Sequence, residues 1–365
     1  MSEAERIIEN CLDCGICVDN CEFLSRYCQS PRELAERYET DHFHEKPHIP
    51  YCCSLCDLCE AQCSEELNVG RMCLQARKTL VEEGVAPLTP HKIVKREQDW
   101  DLSDEFTLAV PNPEKQRSET VFFPGCHLSG YSPDLVITTY DWLRQRLPDT
   151  GILLRCCGSP TNYIGDSSAF QAILDGLVAE VTRMGAREII CACPNCMRHL
   201  RNYAPQLKVK SLYETITDLG PAEAQDAGEA VFTIHDPCAA RALPEVHECV
   251  RKIIGWTGCR VQEMSDSKNE TQCCGQGGGV PYVSPQLAAN MTRRRVEQLP
   301  ADVVTYCASC REAFAPYKPS LHVLDLLFNP NWSEEKTKPA GKPAAKKEHK
   351  SSLKARLQQQ YAAQL

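Results

Sequence analysis

The sequence predicts an α/β protein in which a short, helical, cysteine-dense N-terminal domain precedes two duplicated α/β units. Three observations predict it. The run Cys-x2-Cys-x2-Cys-x3-Cys occurs twice near the start, at 11–21 and 53–63. Between residues 119 and 330 one order of signals also occurs twice. Each time a short apolar run ends at a turn with Pro and Cys, a helical stretch follows, then Cys-Cys-Gly, another helical stretch, and a β-branched run ending in Cys-x2-Cys. Finally, strand-like and helical stretches alternate there, which favours mainly parallel pairing with sites at the carboxyl ends of the strands.

Residues 1–84 form the first domain. Ser2 and Glu5 fit a capping box that opens a short helix into the first cysteine run. Pro31 starts a second helical stretch. A third carries apolar positions at Val69, Met72, Ala76 and Leu80 and stops at Gly84. Residues 85–118 are Pro-rich and aperiodic and read as a connector.

The first repeat occupies 119–226 and the second 227–330. They open with TVFFPGC and AVFTIHDPC. In copy one Ser132 fits an N-cap with Pro133 in the first turn. The Cys-Cys-Gly signals are Cys156-Cys157-Gly158 and Cys273-Cys274-Gly275. EIICACPNC and DVVTYCASC close the repeats. Residues 331–365 hold eight Lys/Arg and three Asp/Glu, are low in aromatics, and read as a disordered Lys-rich tail whose last residues could form a docking helix.

Composition bounds the function. The chain has 365 residues, 24 cysteines and a formal charge of −9. The acidic balance gives no reason to expect nucleic-acid binding. No apolar run approaches the ~18 residues of a membrane span. The N-terminus lacks the basic and apolar regions of a cleaved signal. So many thiols without an export signal point to metal ligation in a reducing compartment, and so to a cytoplasmic protein.

The spacing of the first two runs suits cubane [4Fe-4S] clusters. Three thiolates come from each tight loop, and the fourth comes from the other run. That assigns Cys11, Cys14, Cys17 and Cys63 to one cluster, and Cys53, Cys56, Cys59 and Cys21 to the other. A pair of structural zinc sites is the competing account. Glu22 and Ser64 stand where bacterial ferredoxins carry Pro.

Each repeat then offers five cysteines in one order: Cys126, Cys156, Cys157, Cys193 and Cys196, and Cys238, Cys273, Cys274, Cys307 and Cys310. Adjacent cysteines diverge, which is awkward for tetrahedral zinc, and five exceed what one zinc or one cubane takes. The residues thus indicate two unusual iron–sulfur sites facing each other across a pseudo-twofold.

The blocks C-x29-CC-x35-C-x2-C and C-x34-CC-x32-C-x2-C, with a glycine after each Cys pair, resemble the paired CCG domains of heterodisulfide reductase. The N-terminal runs resemble that enzyme's ferredoxin-like subunit, and the whole chain, over about 5–325, resembles the fused form. The resemblance implies two noncubane [4Fe-4S] clusters, one per five-cysteine set, with a disulfide substrate between them. It implies an oxidoreductase that passes electrons from the cubane pair to the noncubane pair and reduces, or forms, a thiol-coenzyme disulfide. Related CCG proteins imply an alternative: a non-catalytic electron-transfer subunit between a flavoprotein dehydrogenase and a quinone-reactive membrane partner. The chain has no flavin or nicotinamide fingerprint, so either reading needs a flavin-containing or membrane cytochrome redox subunit, and contact with a membrane only through it.

His127 and His235 flank the first cysteine of each repeat and are candidate proton donors for disulfide reduction, against a bland role as hydrogen-bond partners of a cluster or loop. Cys28, Cys52, Cys73, Cys191, Cys249 and Cys259 read as spare core thiols. Gly277-Gly278-Gly279 indicates a flexible or closely approached backbone, which copy one replaces with Thr161-Asn162-Tyr163. Arg293, Arg294 and Arg295 read as a solvated helix face.

Overall fold

The structure is a computed structural model and describes residues 1–112, 114–221 and 228–361. The expected boundary between the repeats at 226/227 lies outside the described residues. The N-terminal domain is helical. Its first helix, Glu3–Asn10, carries the expected capping box, with the Glu5 amide donating to Ser2 Oγ (3.1 Å) and the Ser2 amide to Glu5 Oε2 (2.6 Å). Helices Pro31–Asp41 and Val69–Glu82 follow, the latter burying Val69, Met72, Ala76 and Leu80.

Each repeat builds its own sheet. The first holds β1 (Leu108–Val110), β2 (Thr120–Phe123), β3 (Thr150–Leu154), β4 (Glu188–Cys191) and β5 (Lys208–Ser211) in the order β1-β3-β2-β4-β5. All pairs are parallel except β1–β3. The second holds β6 (Val231–His235), β7 (Arg260–Val261), β8 (Asp302–Thr305) and β9 (Ser320–His322) in the all-parallel order β7-β6-β8-β9. Without β1 the two orders are the same, so the duplication is structural as well as sequential. Val121, Phe122, Phe123, Ile189, Ile190, Val303 and Val304 are buried, as in strands covered on both faces.

One apolar core runs through both sheets. Tyr213 ties them, its hydroxyl donating to Ala192 O (3.1 Å) and Tyr306 O (3.0 Å). A second core joins the N-terminal domain to the second repeat through Val280, Leu287, Ala288 and Met291.

Two expectations are corrected. The connector contains a helix, His91–Asp101, and β1, which extends the first sheet at its edge. A three-residue strand is too short to show a period. The Lys-rich tail is not disordered over its described length: the helix expected of its last residues begins earlier, at Pro343, runs to Tyr361 and buries Leu353, Leu357 and Tyr361. Those residues recur every four positions, a stripe that average composition conceals. Its charges are paired, Lys350 with Asp101 (2.5 Å), Lys346 with Glu312 (2.7 Å) and Arg356 with Asp134 (2.8 Å). No helix of the described residues is long and apolar enough to cross a membrane.

Candidate metal centres

The two N-terminal loops share a backbone conformation. Counting from the first cysteine, the residues at +2 and +4 lie in the left-handed region in both: Asp13 and Gly15 (φ 51° and 80°), Leu55 and Asp57 (φ 52° and 59°). Only glycine adopts this region freely, so three side chains carry its cost, about 1–2 kcal/mol each. Such paired left-handed turns direct amides into a concavity suited to an anionic cluster.

Cys17 lies among Cys11, Cys14 and Cys63, around a largely apolar hollow that these sulfurs line. Cys21 reaches instead toward Cys53 and Cys56, and Cys59 joins that group. Burial, and then the neighbouring sulfurs, push Cys17 up to about 12. Burial followed by Cys273 does the same to Cys56. Thiols this reluctant to ionise become thiolates when a metal takes them.

The ten cysteines of the repeats form one continuous row. In the first repeat Cys126 meets Cys156, Cys157 meets Cys196, and Cys196 meets Cys193. In the second, Cys238 meets Cys273 (4.0 Å), Cys274 meets Cys310, and Cys310 meets Cys307. The rows join where Cys193 lies beside Cys307, the equivalent residue of the other repeat. Within each Cys-Cys pair the two sulfurs meet each other, against the divergence expected of adjacent side chains, and each also meets a further cysteine, Cys126 and Cys196 in the first set and Cys238 and Cys310 in the second. An all-thiol donor set of this extent fits iron–sulfur clusters.

Glycines and arginines seat these rows. A Cβ at Gly125 would lie 3.2 Å from Cys196 Sγ, so that turn lies tight against the Cys193–Cys196 loop. The Gly277-Gly278-Gly279 turn takes the backbone of the second N-terminal loop. A Cβ at Gly278 would come within 2.5 Å of Cys53 O, and one at Gly277 within 2.6 Å of Ser54 O and 3.2 Å of Cys273 Sγ. The loop of Cys53 and Cys56 therefore abuts the second cysteine set.

Arg77, fully buried, donates to Pro50 O (3.1 and 2.9 Å), Cys53 O (2.6 Å), Tyr163 O (2.8 Å) and Gly278 O (2.9 Å). Arg241 Nε donates to Cys56 O (2.9 Å) and Arg198 Nη1 to Leu55 O (3.3 Å). Sequence reasoning missed these three, because an arginine is usually solvated and their partners are distant in the chain.

The arginine triplet is a solvated face only at Arg293, which is exposed. Arg295 is buried, and Arg294 donates to Glu22 Oε1 (3.2 Å) and Asp19 O (2.9 Å). Of the spare cysteines, Cys73 contacts Cys53, Cys52 meets the Tyr27 hydroxyl (3.4 Å), and Cys191 is buried in β4. Cys28 donates to Leu24 O (3.4 Å) and Cys249 meets Thr217 Oγ1 (3.1 Å).

The two candidate histidines differ. His127 is exposed, with Nδ1 3.4 Å from Cys126 Sγ. His235 is fully buried, and one of its ring nitrogens and the sulfurs of Cys274 and Cys310 lie within 4.8 Å of one another. Burial, then Arg295, lowers it to about 3. It is neutral at physiological pH and is not placed to exchange protons with solvent.

The cysteine-rich domain family known as CCG matches residues 120–201 and 232–315, and the 4Fe-4S dicluster domain family matches 10–68. The chain is 27% identical to a subunit of the fumarate reductase (CoM/CoB) of Methanothermobacter marburgensis, over 88% of this chain and 68% of that one. It is 26% identical to a subunit of the dihydromethanophenazine:CoB–CoM heterodisulfide reductase of Methanosarcina barkeri, over 77% and 74%. Similarity to the EtfAB:quinone oxidoreductase of Syntrophomonas wolfei is 24% over 42% of this chain and 24% of that one.

Proposed function

We propose, from the premise that this chain is an iron–sulfur oxidoreductase joining a 4Fe-4S dicluster domain to two CCG cysteine-rich domains, that it is the subunit of a redox complex that reduces, or in reverse forms, a disulfide of two thiol coenzymes. The observation that carries this reading is the row of ten thiols turned about the Cys193–Cys307 contact, with the loop of Cys53 and Cys56 against one end.

Cys11, Cys14, Cys17 and Cys63, and Cys53, Cys56, Cys59 and Cys21, would hold two cubane [4Fe-4S] clusters. Cys126, Cys156, Cys157, Cys193 and Cys196, and Cys238, Cys273, Cys274, Cys307 and Cys310, would hold two noncubane ones. When bound, these groups supply one-electron carriers and, in the repeats, iron able to take a sulfur ligand. In the overall reaction one S–S bond breaks, two electrons and two protons are taken up, and two thiols leave. Arg77 and the glycine turn hold the two domains in contact, which fixes the distance an electron crosses. His127, exposed beside Cys126, is the residue that can hand a proton to a departing thiolate. The buried surroundings of the cysteines keep water from the row.

Electrons enter from a partner, either a flavin-containing subunit or a membrane cytochrome, and any contact with a membrane runs through that partner. The names of the relatives support the multisubunit setting and a thiol-coenzyme pair as substrate. Similarity to the EtfAB:quinone oxidoreductase favours the second reading, an electron relay without disulfide chemistry.

The test is anaerobic oxidation of reduced benzyl viologen by the reconstituted full chain, with the mixed disulfide of coenzymes M and B as acceptor. Turnover that C193S and C307S abolish, while the N-terminal clusters stay reducible, is expected. An iron-replete chain that reduces no disulfide leaves only the relay.

A further inference from the structure

The two five-cysteine sets follow the same order, yet their surroundings differ at one position. At the carboxyl end of β6, His235 pairs with Thr305 in the register where, in the first sheet, Phe123 pairs with Cys191. Both precede the first cysteine of their set by three residues. His235 is fully buried and packs edge-on against the Phe314 ring, centroids 4.7 Å apart.

Arg295, also fully buried, donates through Nε to His235 Nδ1 (3.3 Å). Its other nitrogens are held by Gln298 Oε1 (3.1 Å) and Asp266 O (2.7 Å). A guanidinium can only donate, so Nδ1 is the acceptor and the neutral ring carries its proton on Nε2. Nε2 is buried and has no hydrogen-bond partner among the described residues. The sulfurs of Cys274 and Cys310 are beside this ring. The first repeat offers no equivalent at this register position: Phe123 has no donor, and the buried face of the corresponding helix Ser167–Arg183 is Phe170, Leu174, Leu177 and Val181.

We infer that Arg295 locks His235 in the tautomer that donates its Nε2 proton to a sulfur of the second CCG centre, and that this buried, tautomer-locked donor, where the first set has only the exposed His127 beside Cys126, makes the two centres electronically unequal. This rests on the reading that the second cysteine set holds an iron–sulfur cluster. A donor to cluster sulfur stabilises the more negative, reduced state and raises the potential. The raised centre is the one against the dicluster loop, where electrons arrive. His235 acts on the centre through its N–H, and Arg295 is a positioning residue that acts through His235.

The experiment is a reductive titration of the anaerobically reconstituted full chain, followed by EPR, comparing wild type with H235F and R295M. The expected result is a lower potential at one CCG centre in H235F, with iron content and the other centre unchanged. A tenfold change in the reduction equilibrium reads as 59 mV for one electron. R295M is expected to reproduce part of that shift, because the ring is free to take the other tautomer. Unmoved potentials at full iron content overturn the inference, and so does loss of iron in H235F, which would make His235 a ligand. If H235F fails to assemble, pulsed EPR of H127F protein carrying 15N-histidine decides, because His127 also lies beside a CCG cysteine. A weak nitrogen coupling on the CCG signal supports the donor, whereas no coupling, or the strong coupling of an iron-bound nitrogen, overturns it. Repeats that take up no iron defeat the underlying reading itself, which unmoved potentials do not.

Discussion

Replacing Gly278 by alanine tests the seating of the dicluster loop on the second repeat. Gly278 has φ 60° and ψ 10°. An alanine there pays the left-handed cost of about 1–2 kcal/mol. Its Cβ also meets Cys53 O at 2.5 Å and the Ser54 carbonyl carbon at 2.9 Å. Both are backbone atoms, so no side-chain rotation relieves the overlap. Ordinary contact begins near 3.4 Å, so the Cys53–Ser54 backbone must retreat by roughly 0.9 Å. Overpacking of this kind costs about 1–3 kcal/mol. Gly279 is the internal control, because it too is left-handed (φ 75°) but a Cβ there meets nothing within 4 Å. G279A should show the conformational cost alone. Native-state hydrogen exchange of the amides of residues 52–55 should therefore give an opening free energy about 1–3 kcal/mol lower in G278A than in G279A. Rapid-freeze EPR should show slower electron arrival at the repeats in G278A. If the two variants match in both measurements, the close approach does not hold the loop and the argument fails.

Other perturbations have definite outcomes. R77M leaves four buried carbonyls without their charged donor and should destabilise the domain junction by about 1–3 kcal/mol for each carbonyl that finds no other donor, read as faster iron loss to a mild chelator. L353A/L357A removes two buried leucines at about 2–5 kcal/mol each, and limited proteolysis should then cleave the C-terminal helix while the rest of the chain survives. Burial raises Asp325 from 3.8 to about 6, although the Tyr131 hydroxyl and the His322 amide donate to it. The folded state therefore binds that proton more tightly than the unfolded one. The stabilisation is complete below pH ~4 and is lost as pH rises through about 6, amounting to about 3 kcal/mol. D325N should flatten that slope in a denaturant-midpoint series across pH 4–7, and an unchanged slope would refute the assignment.

Local signals in the sequence proved informative where structure is made locally. The capping box at Ser2, the Ser132 N-cap accepting from the Leu135 amide, and the apolar spacing of Val69–Glu82 all depend on residues within a turn or two. The duplication was legible because cysteines are rare enough to mark register. The triple glycine was legible as a close approach, though not what approaches it. Arg77, Arg241 and Arg295 were not legible. Their partners are carbonyls and a ring nitrogen from loops remote in sequence, Gly278 O lying 201 residues from Arg77. Nothing local separates such an arginine from one in water. β1 and the Lys-rich first half of the C-terminal helix escaped for a different reason: each acquires its order from the surface it covers, whereas the docking helix of the last residues was legible.

The central claim is that the duplicated cysteines hold iron that grips substrate sulfur. The most direct measurement is EPR of the oxidised, iron-replete full chain after addition of the coenzyme M thiol, prepared with 32S and with 33S. A thiol-dependent signal broadened by 33S, and lost in C193S and C307S, is the predicted result. Full iron content with no signal that depends on the thiol would contradict the claim.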